Sequence, residues 1–146
     1  MQKLIGIDLN PEYISVCKER YENTLPKMEL ICADVLKLDL SSSSFDLIYG
    51  ALIFEYVSLE KLIRIISEWL KPNGVLVCVI QLPSEISEPV SGTTYSALQK
   101  LNSILKLVEV DKLVKTAKKN ELKESKFYKV DLQQGKKFLV GHFLKN

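Results

Sequence analysis

Three short segments of this 146-residue chain carry residue types suited to holding a ligand, and each ends an apolar, strand-sized run. Asp8, in Gly6-Ile7-Asp8-Leu9-Asn10-Pro11, is a carboxylate that leaves a strand just before a helix. From there it can accept two charge-assisted hydrogen bonds from the vicinal hydroxyls of a ribose, or serve as a cap or turn residue. Asp34, in Ile31-Cys32-Ala33-Asp34-Val35, again stands just past a strand, where it can accept from an exocyclic amine such as that of adenine. Gly50-Ala51, after Phe45-Asp46-Leu47-Ile48-Tyr49, would let backbone approach a ligand closely. Open α/β sheets bind ligands beyond the carboxyl ends of their strands, so the three features converge on one small-molecule site. Asp46 begins its strand, at the opposite edge of the sheet, and is expected to be structural.

The elements that position these residues are legible from period and punctuation. Lys3 to Leu9 reads as a short strand, with Asn10 as N-cap and Pro11 at the first helical position of a helix reaching about Asn23. Tyr13, Ile14, Val16, Cys17 and Tyr21 form its apolar stripe. Met28 to Ala33 and Phe45 to Tyr49 are the second and third strands. Ser58 opens a helix whose Leu59, Leu62, Ile63, Ile66, Trp69 and Leu70 recur on one face, and Lys71-Pro72-Asn73-Gly74 stops it. Val75 to Gln81, apolar at every position but the last, reads as a central strand covered by helices on both faces. Strand, helix, strand, strand, helix, strand is the order of an α/β protein with a mainly parallel sheet. Beyond it the sequence predicts a loop over 82–94, helices over 95–105 and 111–119, and a C-terminal antiparallel hairpin of strands 122–130 and 136–144. Residues 1–146 read as a single domain.

Composition narrows the class. With 47% apolar and 26% charged residues and a net charge of +2, the chain has the material for a core, and disorder and disulfide scaffolds are excluded. Its longest apolar runs fall short of the roughly 20 residues of a membrane span, and Met1 leads almost at once into a strand, so neither a membrane span nor a signal peptide is expected. Cys17, Cys32 and Cys78 lack CxxC spacing and sit in apolar segments; buried, reduced thiols, no metal and a cytoplasmic location are expected. Residues 100–146 hold twelve lysines against five acidic residues. They are spread over helix and hairpin without arginine, so a solvated face is expected rather than a nucleic-acid surface.

Taken together, Gly6-Ile7-Asp8-Leu9-Asn10-Pro11-Glu12, Ala33-Asp34-Val35, Phe45-Asp46-Leu47-Ile48-Tyr49 and Trp69-Leu70-Lys71-Pro72-Asn73-Gly74-Val75-Leu76 resemble the class I S-adenosylmethionine-dependent methyltransferases. The resemblance runs in the family's order over nearly the whole chain. Asn73 replaces a glycine of the family's usual turn, at a position where asparagine tolerates positive φ. The implied fold is Rossmann-like, with S-adenosylmethionine as cofactor and a small molecule as methyl acceptor. By the same resemblance Asp8 and Leu9 would lie at the cofactor ribose, Asp34 and Val35 at the adenine, and Tyr49, Gly50 and Ala51 beside the methionine portion. A nicotinamide-dependent dehydrogenase would also place an acid like Asp8 on a ribose, but it does not call for Asp34 or the turn at Lys71-Pro72-Asn73-Gly74.

One departure is large. The six glycines, at 6, 50, 74, 92, 135 and 141, include no Gly-x-Gly. In the related dinucleotide fold the glycine-rich loop precedes the acidic residue by about 20 positions, whereas seven residues precede Asp8 here. The family's first strand, its loop and the following helix are therefore expected to be missing. That strand sits centrally, between the strand ending at Asp8 and the one ending at Tyr49. Its loss predicts one of three outcomes: an N-terminally truncated enzyme that holds cofactor poorly, closure by direct pairing of the flanking strands, or donation of a strand by a second chain, as in a homodimer. A non-catalytic remnant serving as an interaction module is the alternative function. Glu55, Tyr56, Gln81, Ser84 and Tyr95 are candidates for the acceptor side. His142 is expected to be packed, sharing a strand face with Phe138, Val140 and Leu144.

Overall fold

The computed structural model describes residues 3–83, 105–132 and 135–146. The segment expected to hold a loop and a helix over 82–105 thus lies almost wholly outside the described residues. The chain divides into two compact units, residues 1–40 and 41–146.

The first unit is a strand, helix, strand motif. β1 (Leu4–Asp8) leads through Asn10 into α1 (Pro11–Tyr21), and β2 (Met28–Cys32) returns parallel to β1. Asn10 caps α1 as the sequence predicts: its Oδ1 accepts from Glu12 N at 2.9 Å, and Pro11 starts the helix. Gly6 lets the strands approach, because a Cβ there would stand 2.8 Å from Leu30 Cδ2. The expected apolar stripe of α1 is not buried. No α1 residue is, and Val16 and Tyr21 are more than a third exposed. Two strands and one helix of this length have too few side chains to enclose a core of their own.

The second unit holds the core. β3 (Phe45–Ala51) and β4 (Leu70–Leu82) are parallel, with α2 (Leu59–Trp69) between them in sequence. α3 (Val110–Lys119) leads into the hairpin of β5 (Leu122–Asp131) and β6 (Lys137–Lys145). The strand order is β3-β4-β6-β5, with both β4/β6 and β6/β5 antiparallel. Ser58 Oγ caps α2 by accepting from Lys61 N at 3.4 Å, and Leu59, Leu62, Ile63, Ile66 and Trp69 of α2 are all buried. Leu113, Thr116 and Ala117 form the buried side of α3, which packs on α2.

Register explains which sheet face is covered. Leu76, Cys78 and Ile80 pair with Phe143, Gly141 and Leu139, and all six are buried. Gly141 is required there, since a Cβ would meet Phe127 Cε1 at 2.8 Å and Cys78 Sγ at 3.1 Å. Phe127 in turn meets Phe143 edge to face, with ring centroids 5.4 Å apart. Val75, Val77 and Val79 on the alternate face are only half-buried, so β4 is central but covered fully on one face, not both. The strand begins at Leu70, not at Val75 as the sequence predicts, and Lys71-Pro72-Asn73-Gly74 forms an irregularity within it: Asn73 has the expected positive φ, 63°, and the β3/β4 register shifts between Phe45 and Leu47, because Phe45 pairs with Leu70 and Leu47 with Val75. Asp46 is structural, bound by Lys71 Nζ at 2.8 and 2.9 Å.

Among the described residues of the first unit β1 pairs with β2, and among those of the second β3 pairs with β4. No described helix is long and apolar enough to cross a membrane.

Candidate functional site

In the first unit the pairing of β1 with β2 sets the site. Asp8 stands opposite Cys32, and Ala33 N donates to Asp8 O at 3.0 Å, so Asp8 and Asp34 leave the same end of one two-stranded sheet. Each carboxylate is held by the backbone two residues ahead. Asn10 N donates to Asp8 Oδ1 at 2.7 Å, and Leu36 N donates to Asp34 Oδ1 at 3.0 Å. These are the cap and turn roles that the sequence offered as the alternative, and both are realised. They occupy one oxygen of each carboxylate and fix its direction, which leaves Oδ2 of each as an acceptor. Lys37 Nζ lies 3.7 Å from Asp34 Oδ2 across exposed surface. Leu9 is 71% exposed, and Val35 opens the short 3₁₀ turn that Asp34 caps. Cys32 Sγ lies 3.6 Å from Leu9 O at the same edge.

In the second unit the corresponding strand end is that of β3 and β4. Tyr49, Gly50 and Ala51 are not beyond the strand but are its last three residues, in register with Val77, Cys78 and Val79. The room that glycine leaves at position 50 is taken by the chain itself, because a Cβ there would stand 3.0 and 3.1 Å from ring carbons of Phe54. Tyr49 points the other way and is 65% exposed. Just past the strand, Leu52 adopts φ 56° while its N–H donates to Val79 O at 2.9 Å. Positive φ costs a bulky side chain steric strain, and the surrounding fold must hold it there.

The loop after Leu52 delivers Glu55 to the end of β4. Its residue is 3% exposed, and its Oε1 accepts the backbone N–H of Gln81 at 2.6 Å. Its Oε2 is buried without a hydrogen-bond partner among the described residues. Burial pushes the carboxyl above the ordinary range of a glutamic acid, and the Gln81 N–H offsets this only in part. Tyr56, beside it, is raised by burial and by the charge of Glu55. Gln81 itself is buried. Of the remaining acceptor-side candidates, Ser84 and Tyr95 lie outside the described residues. The sequence named Glu55 and Gln81 separately; that one binds the other depends on the depth to which the loop folds, which no local pattern encodes.

His142 is packed, as expected. It is half-buried in tilted contact with Tyr128, ring centroids 6.0 Å apart, and its Nε2 is buried without a partner among the described residues. The three thiols are free, but only Cys78 is buried; Cys17 is intermediate and Cys32 exposed, because β2 and α1 belong to the unit that lacks a closed core.

The family model described as "Methyltransferase domain" matches residues 1–78, more than half of the chain. No curated protein matches by sequence. Among solved structures, a protein from Listeria monocytogenes described as an S-adenosylmethionine-dependent methyltransferase superposes with a TM-score of 0.79 at 14% identity, over 99% of this chain and 81% of that one. The N-methyltransferase NodS from Bradyrhizobium japonicum WM9, solved with S-adenosyl-L-homocysteine, gives 0.71 at 17% identity, over 98% of this chain. The [4+2]-cyclase SpnF gives 0.75 at 14% identity, also over 98%. This chain spans 66% of the length of each of the last two. The matched family model and the shared architecture place the chain in the class I S-adenosylmethionine-dependent methyltransferase family.

Proposed function

We propose that the chain carries out S-adenosylmethionine-dependent methyl transfer to a small-molecule acceptor and that its cofactor affinity depends on a glycine-rich segment this sequence lacks. The observation that carries the reading is the common exit of Asp8 and Asp34 from one sheet end, each with one oxygen fixed by backbone and one left to accept. That donor set suits an adenosine: two vicinal hydroxyls for Asp8, with Leu9 alongside, and an exocyclic amine for Asp34, with Val35 flanking the ring. In the second unit, Tyr49, Gly50 and Ala51 supply backbone for the methionine portion. When bound, the cofactor supplies an electrophilic methyl group on a sulfonium, and the protein's part is to align the acceptor with it. The free thiols support a cytoplasmic location.

The single strand neighbour of β3 among the described residues favours a second reading, an interaction module that takes up a strand from a partner, including a second copy of the chain. Calorimetric titration with S-adenosylmethionine and S-adenosylhomocysteine separates the two. The chain is compared with a version extended at its N-terminus by a strand, a Gly-x-Gly loop and a helix. Methyl transfer predicts tight binding to the extended form and weak binding to this one, and Asp8→Asn should remove most of the affinity because it keeps the acceptor for Asn10 N but not the charge. Equal binding by both forms overturns the account of the loop, and an Asp8→Asn protein that binds normally overturns the ribose assignment.

A further inference from the structure

Helices that turn back at their C-terminus commonly do so through a residue of positive φ, and glycine is the usual choice because it carries no Cβ to strain. α3 ends in this way, but the residue is Glu121, at φ 61°. Asn120 N donates to Ala117 O at 2.9 Å and Glu121 N to Lys118 O at 3.3 Å, after which Leu122 begins β5. A glutamate in that conformation is strained, and it persists only where surrounding contacts enforce it.

Those contacts converge on Lys145, the last residue of β6. Its Nζ donates to Glu121 Oε2 and to Ser67 Oγ, both at 2.7 Å, and its side chain is only 14% exposed. Ser67, buried on α2, donates its hydroxyl proton to Asn120 O at 2.6 Å. The backbone closes the same ring, since Asn146 N donates to Glu121 O at 3.0 Å. α2, the turn from α3 into β5 and the end of β6 thus share one ammonium. An ammonium so far removed from water is costly unless paired, and Glu121 and Ser67 pair it. In return, its hydrogen bond and charge hold the Glu121 carboxyl below the ordinary range of a glutamic acid. Ser67 and Lys145 are not arranged as nucleophile and base. The Nζ is the donor in both of its contacts, and the Ser67 proton is committed to a carbonyl.

We propose that Lys145 is an ionic latch that keeps Glu121 in its left-handed conformation and so fixes the turn from α3 into β5, with Ser67 fastening that turn to α2. Glycine at this position would make the turn unaided, whereas glutamate makes it only while Lys145 is in place. Order in the turn is thereby conditional on the end of β6 being docked. Opening is local. The latch lies at the end of the sheet where Val75 pairs with Leu144, and Val79, which accepts from Leu52 N, lies further along β4 toward the opposite end. Release of Lys145 therefore loosens the last turn of α3 and the last residues of β6 and leaves the ends of β3 and β4 that carry Ala51 and Gln81 in place. The latch is independent of the methyl-transfer reading.

Amide hydrogen exchange followed by NMR on the full chain tests the latch, with Asn120 and Asn146 as reporters and Leu52 as the reference. Lys145→Met keeps an apolar stem and removes the charge and the donors. It is expected to speed exchange at both reporters by about tenfold or more and to leave Leu52 unchanged. Adding Glu121→Gly to Lys145→Met should return both reporters to within about threefold of the unmodified chain, because glycine needs no partner at that φ. Salt probes the same contact without any substitution. Raising it from about 0.05 M to about 1 M screens a pair whose carboxylate is 72% exposed, so the reporters should loosen in the unmodified chain and not in the double variant. Unchanged exchange in Lys145→Met, or failure of Glu121→Gly to restore it, overturns the proposal. Should Lys145→Met not fold, reporters insensitive to salt in the unmodified chain overturn it.

Discussion

The backbone N–H of Gln81 donates to Glu55 Oε1 at 2.6 Å, binding the loop after β3 to the end of β4 by a carboxyl removed from water. The same burial raises the affinity of Glu55 for its proton in the folded chain above the value of 4.5 that an exposed glutamate has. A raised folded-state value means that the unfolded chain releases this proton first as pH increases. The stabilising contribution is therefore complete below about 4.5 and is lost as pH rises through the raised value. Glu55→Gln abolishes that titration and keeps the bond to Gln81 N. Urea midpoints measured across the pH range should fall with rising pH more steeply for the unmodified chain than for Glu55→Gln, with Glu55→Gln the more stable of the two at neutral pH. Parallel curves would show that Glu55 titrates as an exposed group.

The thiols should separate by reactivity. Cys78 is fully buried between Gly141 and the core, and its thiol is pushed up to about 12, chiefly by burial. Cys32 is exposed at the end of β2. Thiolate is the reacting species, so a disulfide reagent at pH 8 should modify Cys32 rapidly and Cys78 only at the rate of unfolding. Mass spectrometry of the labelled protein reports the order, and early labelling of Cys78 would contradict the packing of β4 against β6.

The irregular stretch near the start of β4 should be intolerant at one residue and tolerant at its neighbour. A Cβ at Gly74 would lie 2.8 Å from Lys71 O and 3.1 Å from Phe45 O, both backbone atoms that cannot swing aside. Gly74→Ala is expected to cost about 1–3 kcal/mol, the range of overpacking, because relieving the contact shifts β3 against β4. Asn73 at φ 63° already sits where glycine is at ease, so Asn73→Gly should cost far less. Denaturant midpoints of the two variants test the contrast.

Local chemistry explains which parts of this were legible in sequence. Asn10-Pro11 and Ser58 mark helix starts by backbone rules, and Lys71-Pro72-Asn73-Gly74 the end of α2, and those boundaries stand within a residue or two; the start of β4 does not, because the strand begins at Leu70 and runs through that stretch instead of starting at Val75. Asp8 and Asp34 are legible because a carboxylate after an apolar strand is a local signal. The exposed stripe of α1, the half-covered alternate face of β4 and the Phe54 ring under Gly50 are not, since each depends on what packs from a distance. Likewise, Glu55 reads as one acid among eighteen until the fold removes it from water.

The two edges of the four-stranded sheet are built differently, and the difference predicts where the chain associates. Edge strand β5 carries Lys123, Lys126 and Lys129 and a register shift between Glu124 and Lys126, the charges and irregularity that discourage edge-to-edge pairing. Edge strand β3, Phe45 to Ala51, carries one charge, and that one, Asp46, is tied to Lys71. It also exposes Leu47 at 58% and Tyr49 at 65%. A strand left unprotected on one edge of a sheet whose other edge is protected is a strand shaped to be paired. Sedimentation should therefore show concentration-dependent association of the chain, weakened by Leu47→Lys and by Tyr49→Lys but not by Lys126→Leu. Both lysine substitutions fall at exposed positions, so thermal stability should change by no more than about 0.5 kcal/mol, which separates lost association from lost folding. A chain that stays monomeric at high concentration, or associates equally well with lysine at position 47, would show that β3 is not the contact edge.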